Sequence, residues 1–290
     1  MNARRRWWLL GLFSLLLAAS SSVVRPAPLQ VFVSILPQKY FVEHIGGERV
    51  AVSVMVGPGR SPATYEPTPS QLSRLAHAQA YFRTGVAFEK VWMARIGEIN
   101  PAMRIVDMCR GIVLRQVDRP FEAVLAPDGE ADPHVWTSPR LVKRMSANIR
   151  DALVELDPAH RTAYAANFDR FAAELDQLDA DIDAALAGAR QRSFMVFHPS
   201  WGYYADAYGL KQIAIETGGK EPGPRSLART IEFGRREGVR VIFVQAQFSR
   251  RAAETIAQAL GARVVAVDPL AEDYLDNMRA VTRQFAEAIR

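Results

Sequence analysis

The chain has 290 residues, a formal charge of +5 and a single cysteine, Cys109. One cysteine excludes an internal disulfide, and the basic residues are intermixed with acidic ones, so no nucleic-acid partner is predicted. With 49% hydrophobic residues, the chain can form one large domain or two lobes of about 100 to 150 residues each.

The N-terminal segment is typical of an export signal. Arg4, Arg5 and Arg6 precede a nearly uncharged apolar run, Trp7 to Ala19, which ends at three serines. A membrane-spanning helix needs about 20 apolar residues, so the shorter run favours cleavage over anchoring. No Cys follows the run to carry a lipid anchor. We therefore predict a signal peptide over residues 1–28 and a mature protein in the periplasm.

After residue 28, short β-rich segments alternate with amphipathic segments, a pattern typical of parallel sheets covered by helices. In the first half, the pattern predicts strands at 29–36, 50–56, 80–84 and 104–108, and helices at 69–76 and 139–155. Ser138 and Pro139 suit the N-cap and N1 positions of the second of these helices. Residues 29–156 are predicted to form an N-terminal α/β lobe.

The middle of the chain has a different character. From Pro158 onward no Gly occurs before Gly188, and apolar residues recur every three to five positions. This spacing predicts one helix of about 30 residues, which we place at 157–189 as a spine between two lobes.

Beyond the spine the alternation resumes, with strands at 193–197, 212–215, 239–244 and 263–267 and helices that include 226–236 and a closing helix to 289. Residues 190–290 are predicted to form a C-terminal α/β lobe. The predicted fold class is therefore α/β, with two doubly wound lobes joined by a long spine helix.

Three polar residues, His134, His198 and Asp268, follow predicted strands or lie in the loops beyond them. Ligands of open α/β sheets bind outside the carboxyl ends of the strands, so these side chains are predicted to share a cleft between the lobes. Imidazole nitrogen and carboxylate oxygen are ligands for zinc, and also for manganese or iron. Each residue taken alone is more typical of a loop or core position than of a metal ligand.

Several short motifs in order carry a resemblance to a known family. They are Gly57-Pro58-Gly59, Tyr65-Glu66-Pro67-Thr68-Pro69-Ser70, Asp132-Pro133-His134-Val135-Trp136, Phe197-His198-Pro199-Ser200-Trp201-Gly202-Tyr203-Tyr204, Gln247-Phe248-Ser249 and Asp268-Pro269-Leu270. Along almost all of the mature length, the chain resembles the zinc and manganese receptors among the solute-binding proteins of ABC importers.

The resemblance implies two α/β lobes on a rigid helix, one metal ion held between them, and an ABC transporter permease in the inner membrane as partner. It also assigns His134, His198 and Asp268 to three of the four usual ligand positions. We expect the protein to be a monomer and a binding protein, not an enzyme.

The fourth ligand position departs from the family pattern. The resemblance places a His in the loop before Tyr65, where this chain has Ala63, whose methyl group cannot coordinate an ion. Three ligands can still hold zinc if water, a solute or a neighbouring side chain such as Glu66 completes the shell. The segment 113–131 contains no His, so no metal-gathering role is expected for it.

Zinc is the predicted transported ligand. Manganese-type relatives resemble one another in carrying a carboxylate at the position of His198, and nitrogen donors suit zinc better than manganese. Manganese and iron are the alternative ions. A diverged receptor that binds another solute or a metal complex is an alternative function. A metal-dependent hydrolase also stays open, because two His and one carboxylate with an open position form catalytic sites too.

Overall fold

The computed structural model describes residues 27–118, 131–216, 222–248 and 250–289. The predicted signal peptide lies outside these ranges except for its last two residues, and so do Ser249 and most of the His-free segment 113–131. Within the described ranges, no helix combines the length and the apolar composition that crossing a membrane requires.

The first sheet is parallel, with strand order β2-β1-β3-β4. Its strands and helices are β1 (Leu29–Ile35), α1 (Leu36–Gly46), β2 (Val50–Val56), α2 (Pro69–Leu75), β3 (Ala80–Arg83), α3 (Ala87–Ile99) and β4 (Arg104–Asp107). Strand β1 is central and covered on both faces, so it buries every residue from Val31 to Ile35 instead of alternate ones.

The second sheet repeats this order as β6-β5-β7-β8, again with parallel pairing. Its elements are β5 (Ser193–Val196), α6 (Gly202–Ala207), β6 (Lys211–Ala214), α7 (Pro224–Arg236), β7 (Val241–Val244), α8 (Arg250–Leu260), β8 (Arg263–Ala266) and α9 (Tyr274–Ala288). In both sheets the chain moves outward in one direction and then crosses back, which creates a switch point beside the first strand, where ligands of such sheets bind.

Two helices connect the sheets, α4 (Pro139–Leu156) and α5 (Arg161–Leu186). Helix α5 has 26 residues, which corresponds to about 39 Å, and a single 3-10 turn over Pro158–His160 precedes it. It packs against α1 and α4 on one side of the molecule and against α9 of the C-terminal half. The predicted fold class, two parallel α/β sheets and a long helix, is confirmed. The predicted lobe limits stay a prediction.

Candidate metal site

Two histidines from distant parts of the chain face each other. His134 lies in the loop before α4, and His198 comes two residues after β5. Their Nε2 atoms are 3.2 Å apart. Trp136, two residues after His134, donates from Nε1 to the backbone oxygen of Pro269 at 2.7 Å and so fastens this loop to the C-terminal half.

A buried carboxylate orients each imidazole. His134 Nδ1 lies 2.7 Å from Asp132 Oδ1, and His198 Nδ1 lies 2.5 Å from Glu216 Oε1. Both carboxylate side chains have 0% exposure. An ionised carboxylate only accepts hydrogen bonds, so the hydrogen that each Nδ1 donates to it leaves the Nε2 of that ring as the atom that can bind a cation. Such an arrangement favours a cation between the two rings.

The separation of the nitrogens matches zinc geometry. Zinc binds imidazole nitrogen at about 2.0 to 2.1 Å in a tetrahedral shell, so two such ligands on one ion lie about 3.3 to 3.4 Å apart. The observed 3.2 Å between the Nε2 atoms of His134 and His198 is within about 0.2 Å of that separation.

Arg115 holds Asp132 in place. Its Nη1 donates to Asp132 Oδ2 at 3.2 Å, and its Nε forms an ion pair with Asp206 of α6 at 2.9 Å. Burial raises the pKa of Asp132, but His134 and Arg115 outweigh this effect, so the pKa lies below its ordinary value of 3.8. Asp132 is therefore an anion when it meets His134.

The Arg115 side chain passes so close to α6 that a side chain at Gly202 would displace its guanidinium group. A Cβ added at Gly202 would lie 1.5 Å from Arg115 Nη1 and 3.1 Å from Asp132 Oδ2. The hydroxyl of Tyr203 joins the same two segments, because it accepts from the Arg115 backbone N at 3.0 Å and donates to the Asp132 backbone O at 2.9 Å.

The histidines open into a cavity of about 250 Å³. Phe248 stacks on His198 with ring centroids 4.9 Å apart, and Trp136 packs beside His134 at 5.2 Å. Ala63 lines the same cavity. Burial lowers the pKa of His198 from its ordinary 6.5, while the hydrogen bond to Glu216 opposes the shift, so the ring favours the neutral form that binds metal.

Asp268 lies behind the wall of this cavity. Its Oδ1 accepts from Gln247 Nε2 at 3.2 Å and from the Leu270 backbone N at 2.9 Å, and both of those residues line the histidine cavity. Asp268 itself lines two neighbouring cavities. In the described part of the chain, no group of three His, Cys, Asp or Glu side chains is placed to hold an ion. Glu66 is exposed and lies outside the cavity lining.

The sequence analysis missed the two orienting carboxylates. Asp132 stands two residues before His134, a spacing at which an Asp side chain accepts from the backbone N of the second residue on, and here it does so at 2.9 Å. Glu216 directly follows the end of the predicted strand 212–215, at the same sheet edge as His198. The spacing of Asp132 and the strand-end position of Glu216 could therefore have indicated a polar site from the sequence.

The other histidines have local roles. His44 Nδ1 lies 2.7 Å from the Tyr40 backbone oxygen and its ring stacks on Tyr40, whereas His160 Nδ1 lies 2.6 Å from Asp157. His77 is exposed in the turn after α2, beyond the helix end.

The sequence relatives of this chain include proteins named for metal binding. The chain is 27% identical over 260 residues to a putative metal-binding protein of Chlamydia trachomatis serovar D, covering 89% of this chain and 90% of that protein. It is 26% identical over 276 residues to the zinc-binding protein AdcA of Streptococcus pyogenes serotype M6, covering 89% of this chain but 53% of AdcA. The chain therefore spans about half the length of AdcA.

Solved structures agree with the sequence relatives. A crystal structure of ZnuA aligns with a TM-score of 0.84 and 41% identity, covering 91% of this chain and 100% of that one. A ZnuA deletion mutant with zinc bound aligns at 40% identity with the same TM-score, covering 90% and 98%. The model of the ZnuA family, described as zinc-uptake complex component A, periplasmic, matches residues 31–288. The chain therefore belongs to this family of periplasmic metal-binding receptors of ABC importers.

Proposed function

We propose that the protein captures a zinc ion between its two halves and delivers it to an ABC transporter permease in the inner membrane. The observation that carries the proposal is the histidine pair, whose Nε2 atoms are 3.2 Å apart while a buried carboxylate holds each Nδ1. The names of two relatives, a zinc-binding protein and a ZnuA variant with zinc bound, support zinc over manganese or iron.

The proposed ligands are His134, His198 and Asp268. The carboxylate of Asp268 is separated from the histidine cavity by Gln247 and Leu270, which it contacts. We propose that an ion at the two imidazoles attracts this carboxylate, which then exchanges its hydrogen bond from Gln247 for the metal. Zinc accepts carboxylate oxygen at about 2.0 to 2.2 Å.

Capture is favoured over catalysis because the carboxylate among the described lining residues is already bonded to a histidine. A hydrolase needs a general acid or base beside the metal-bound water. Among the described residues that line the cavity, the carboxylate is Glu216, and its Oε1 already accepts from His198 Nδ1. Screening for hydrolysis with added zinc tests this step, and turnover would contradict it.

Export through a cleaved signal peptide would place the protein where such a receptor works. The basic start and short apolar run of residues 1–28 support this proposal, and the family match supports the periplasm. Mass spectrometry of the native protein is expected to show a chain that lacks about 20 to 30 N-terminal residues. An intact Met1 on a membrane-embedded species would contradict it.

Zinc capture is tested by metal analysis of protein purified without added metal, followed by competition titration with a chelating dye. His134→Ala and His198→Ala are expected to abolish tight binding, and Asp268→Asn is expected to weaken it. His77→Ala is the matched control, because His77 is exposed and lies outside the cavity. If Asp268→Asn binds zinc as the unaltered protein does, Asp268 is not a ligand.

A further inference from the structure

The backbone of His198 lies beyond the end of strand β5. That strand ends at Val196, two residues earlier, and the backbone pairing with β7 reaches Phe197, whose N donates to the Phe243 backbone O at 2.8 Å. Pro199 follows His198 and has no backbone N–H with which to continue a ladder. The position of the His198 backbone therefore depends on contacts outside the sheet.

The side chain of Gln245 supplies these contacts. Gln245 directly follows strand β7 and is 1% exposed. Its Oε1 accepts from the His198 backbone N at 3.2 Å, and its Nε2 donates to the His198 backbone O at 2.7 Å. One side-chain amide thus pairs with both backbone groups of a single residue, as a neighbouring peptide group would in a sheet.

A third hydrogen bond fixes which end of the Gln245 amide is the nitrogen. An amide nitrogen has two hydrogens, and the second one is donated to Ser200 Oγ at 2.8 Å. The reverse orientation would place the amide nitrogen against the backbone N–H of His198, so that two donors would face each other. The Gln245 amide is therefore held in one orientation by His198 and Ser200.

Different side chains fix different parts of His198. Glu216 binds the hydrogen on Nδ1, and Phe248 stacks on the imidazole with an angle of 22° between the rings. Gln245 holds the backbone from which the ring projects, and it lines the same cavity. A metal–nitrogen distance has a tolerance of about 0.2 Å, so even a small backbone shift would move Nε2 out of reach of an ion shared with His134.

We propose that Gln245 is a positioning residue of the zinc site, whose amide holds the His198 backbone so that Nε2 stays within reach of an ion shared with His134. The proposal rests on the proposed zinc capture and names the residue that sets the place of one ligand. Gln245 acts through His198 and not on the ion, because its amide oxygen and nitrogen already bond to His198 and Ser200.

The test replaces Gln245 by a residue of similar length that lacks the amide. Gln245→Met is expected to weaken zinc binding by about 10- to 100-fold in a competition titration, while its circular dichroism spectrum stays that of the folded chain. Gln38→Met is the matched control. Gln38 is 0% exposed, accepts from the Ser34 backbone N at 2.9 Å and donates to the Phe82 backbone O at 3.1 Å, but it lies outside the cavity lining.

Cobalt(II) reports whether the loss of affinity comes from ligand geometry. Zinc has a filled d shell and gives no d–d absorption, whereas cobalt(II) accepts nitrogen and oxygen ligands and its visible absorption depends on their arrangement. The cobalt spectrum of Gln245→Met is expected to differ from that of the unaltered chain in band position and intensity. The spectrum of Gln38→Met is expected to match the unaltered chain, because a general loss of stability does not move a ligand.

The outcomes separate this role from zinc capture itself. Unchanged zinc affinity in folded Gln245→Met would overturn the role of Gln245 and leave zinc capture standing, and so would equal losses in Gln245→Met and Gln38→Met. Absence of zinc binding by the unaltered chain would overturn the proposed function, on which this role depends.

A milder variant serves if Gln245→Met does not fold. Ser200→Ala removes only the hydroxyl that accepts from Gln245 Nε2. It is expected to weaken zinc binding by a smaller factor than Gln245→Met and to alter the cobalt spectrum in the same direction. An unchanged affinity together with an unchanged cobalt spectrum in Ser200→Ala would overturn the role of Gln245.

Discussion

At the scale of single residues, the proposed zinc site depends on side chains behind the two imidazoles as well as on the imidazoles. Asp132 has no exposed side-chain surface and contacts His134 and Arg115. By fixing the hydrogen on His134 Nδ1, it leaves Nε2 as the atom that would bind the proposed zinc ion. Glu216 does the same for His198. The orientation of the two imidazoles is therefore fixed by the carboxylates of Asp132 and Glu216.

Asp132→Asn is expected to weaken zinc binding by about 10- to 100-fold while the protein stays folded, because the amide no longer fixes the His134 hydrogen as a carboxylate does. The measurement is a competition titration beside a circular dichroism spectrum. Asp118→Asn is the matched control, since Asp118 also pairs with Arg115, at 2.9 Å, and lies outside the cavity lining. An equal loss in both variants would mean that Arg115, not His134, carries the effect.

His198 gives a pH dependence with a definite sign. Its folded-state pKa lies below the ordinary 6.5, chiefly because of burial. The unfolded chain therefore takes up this proton first as the pH falls, so the stability contributed by His198 is complete above about pH 6.5 and is lost as the pH approaches the folded-state pKa. Zinc competes with the same proton, so binding through His198 persists to a lower pH than an ordinary histidine allows.

Glu216, the hydrogen-bond partner of His198, shifts the pKa of that histidine in a definite direction. Glu216 raises the pKa of His198, so Glu216→Gln is expected to lower it further. Imidazole shifts measured by NMR on metal-free protein from about pH 5 to 8 would report the change. Zinc affinity at neutral pH is expected to fall in the same variant, because the His198 hydrogen is held less firmly. A raised pKa would contradict the assigned role of Glu216.

At the scale of elements, a third buried carboxylate anchors the start of α3 at the cavity. Glu89, 2% exposed, accepts from the backbone N of Thr84 at 3.0 Å and of Gly85 at 2.7 Å, and from the hydroxyl of Ser34. The bonds join the ends of β1 and β3 to the first turn of α3. Gly85 lines the histidine cavity, so Glu89 shapes that wall without facing the ion.

Glu89→Leu is expected to lower the free energy of unfolding by about 1 to 3 kcal/mol for each backbone N–H that it leaves unpaired. Denaturant unfolding followed by fluorescence measures the loss. Glu98→Leu is the matched control, because Glu98 lies on the same helix and is exposed. Equal stability of the two variants would show that the bonds of Glu89 contribute little.

The same residue explains why α3 was not predicted from the sequence. A charged residue on its buried face and the exposed Val91, with 77% exposure, blur the apolar periodicity of the helix.

Strands were predicted to within one or two residues, because β-rich runs end at clear turn signals. Strand β7 begins two residues late, since Val239 N bonds to Gly234 O at 2.9 Å and closes the end of α7.

The candidate site was predictable only in part. Strand ends and motif order indicated His134 and His198, whose side chains meet. The same signals could not give the direction of the Asp268 side chain, because a strand end fixes the backbone and not the rotamer. Its carboxylate contacts Gln247 and Leu270, and whether it reaches the ion stays a prediction.

At the scale of the whole molecule, the site lies where the switch points of two similar sheets meet. His134 belongs to a loop that is bonded to the C-terminal half through Trp136 and Tyr203, although it precedes the spine helix in sequence. An ion bound by both histidines therefore adds a link between segments that are already in contact. Zinc should stabilise the folded protein as a unit.

Zinc at about one hundred times its dissociation constant is expected to add about 2.7 kcal/mol to the free energy of unfolding. For a chain of this length, the midpoint of thermal unfolding would rise by about 4 to 5 °C. Differential scanning calorimetry with and without zinc measures the rise, and a chelator should reverse it. The double variant His134→Ala, His198→Ala is expected to show no shift, and a shift that persists there would place the zinc elsewhere.

The contact between Gly202 and Arg115 also links two distant positions to the orientation of one imidazole. A Cβ at position 202 would overlap the guanidinium group that holds Asp132, so a side chain there would push the far end of Arg115 away from that carboxylate. Asp132 in turn contacts Nδ1 of His134. A substitution at position 202, 87 residues away from Arg115 in sequence, would therefore act on His134 without touching it.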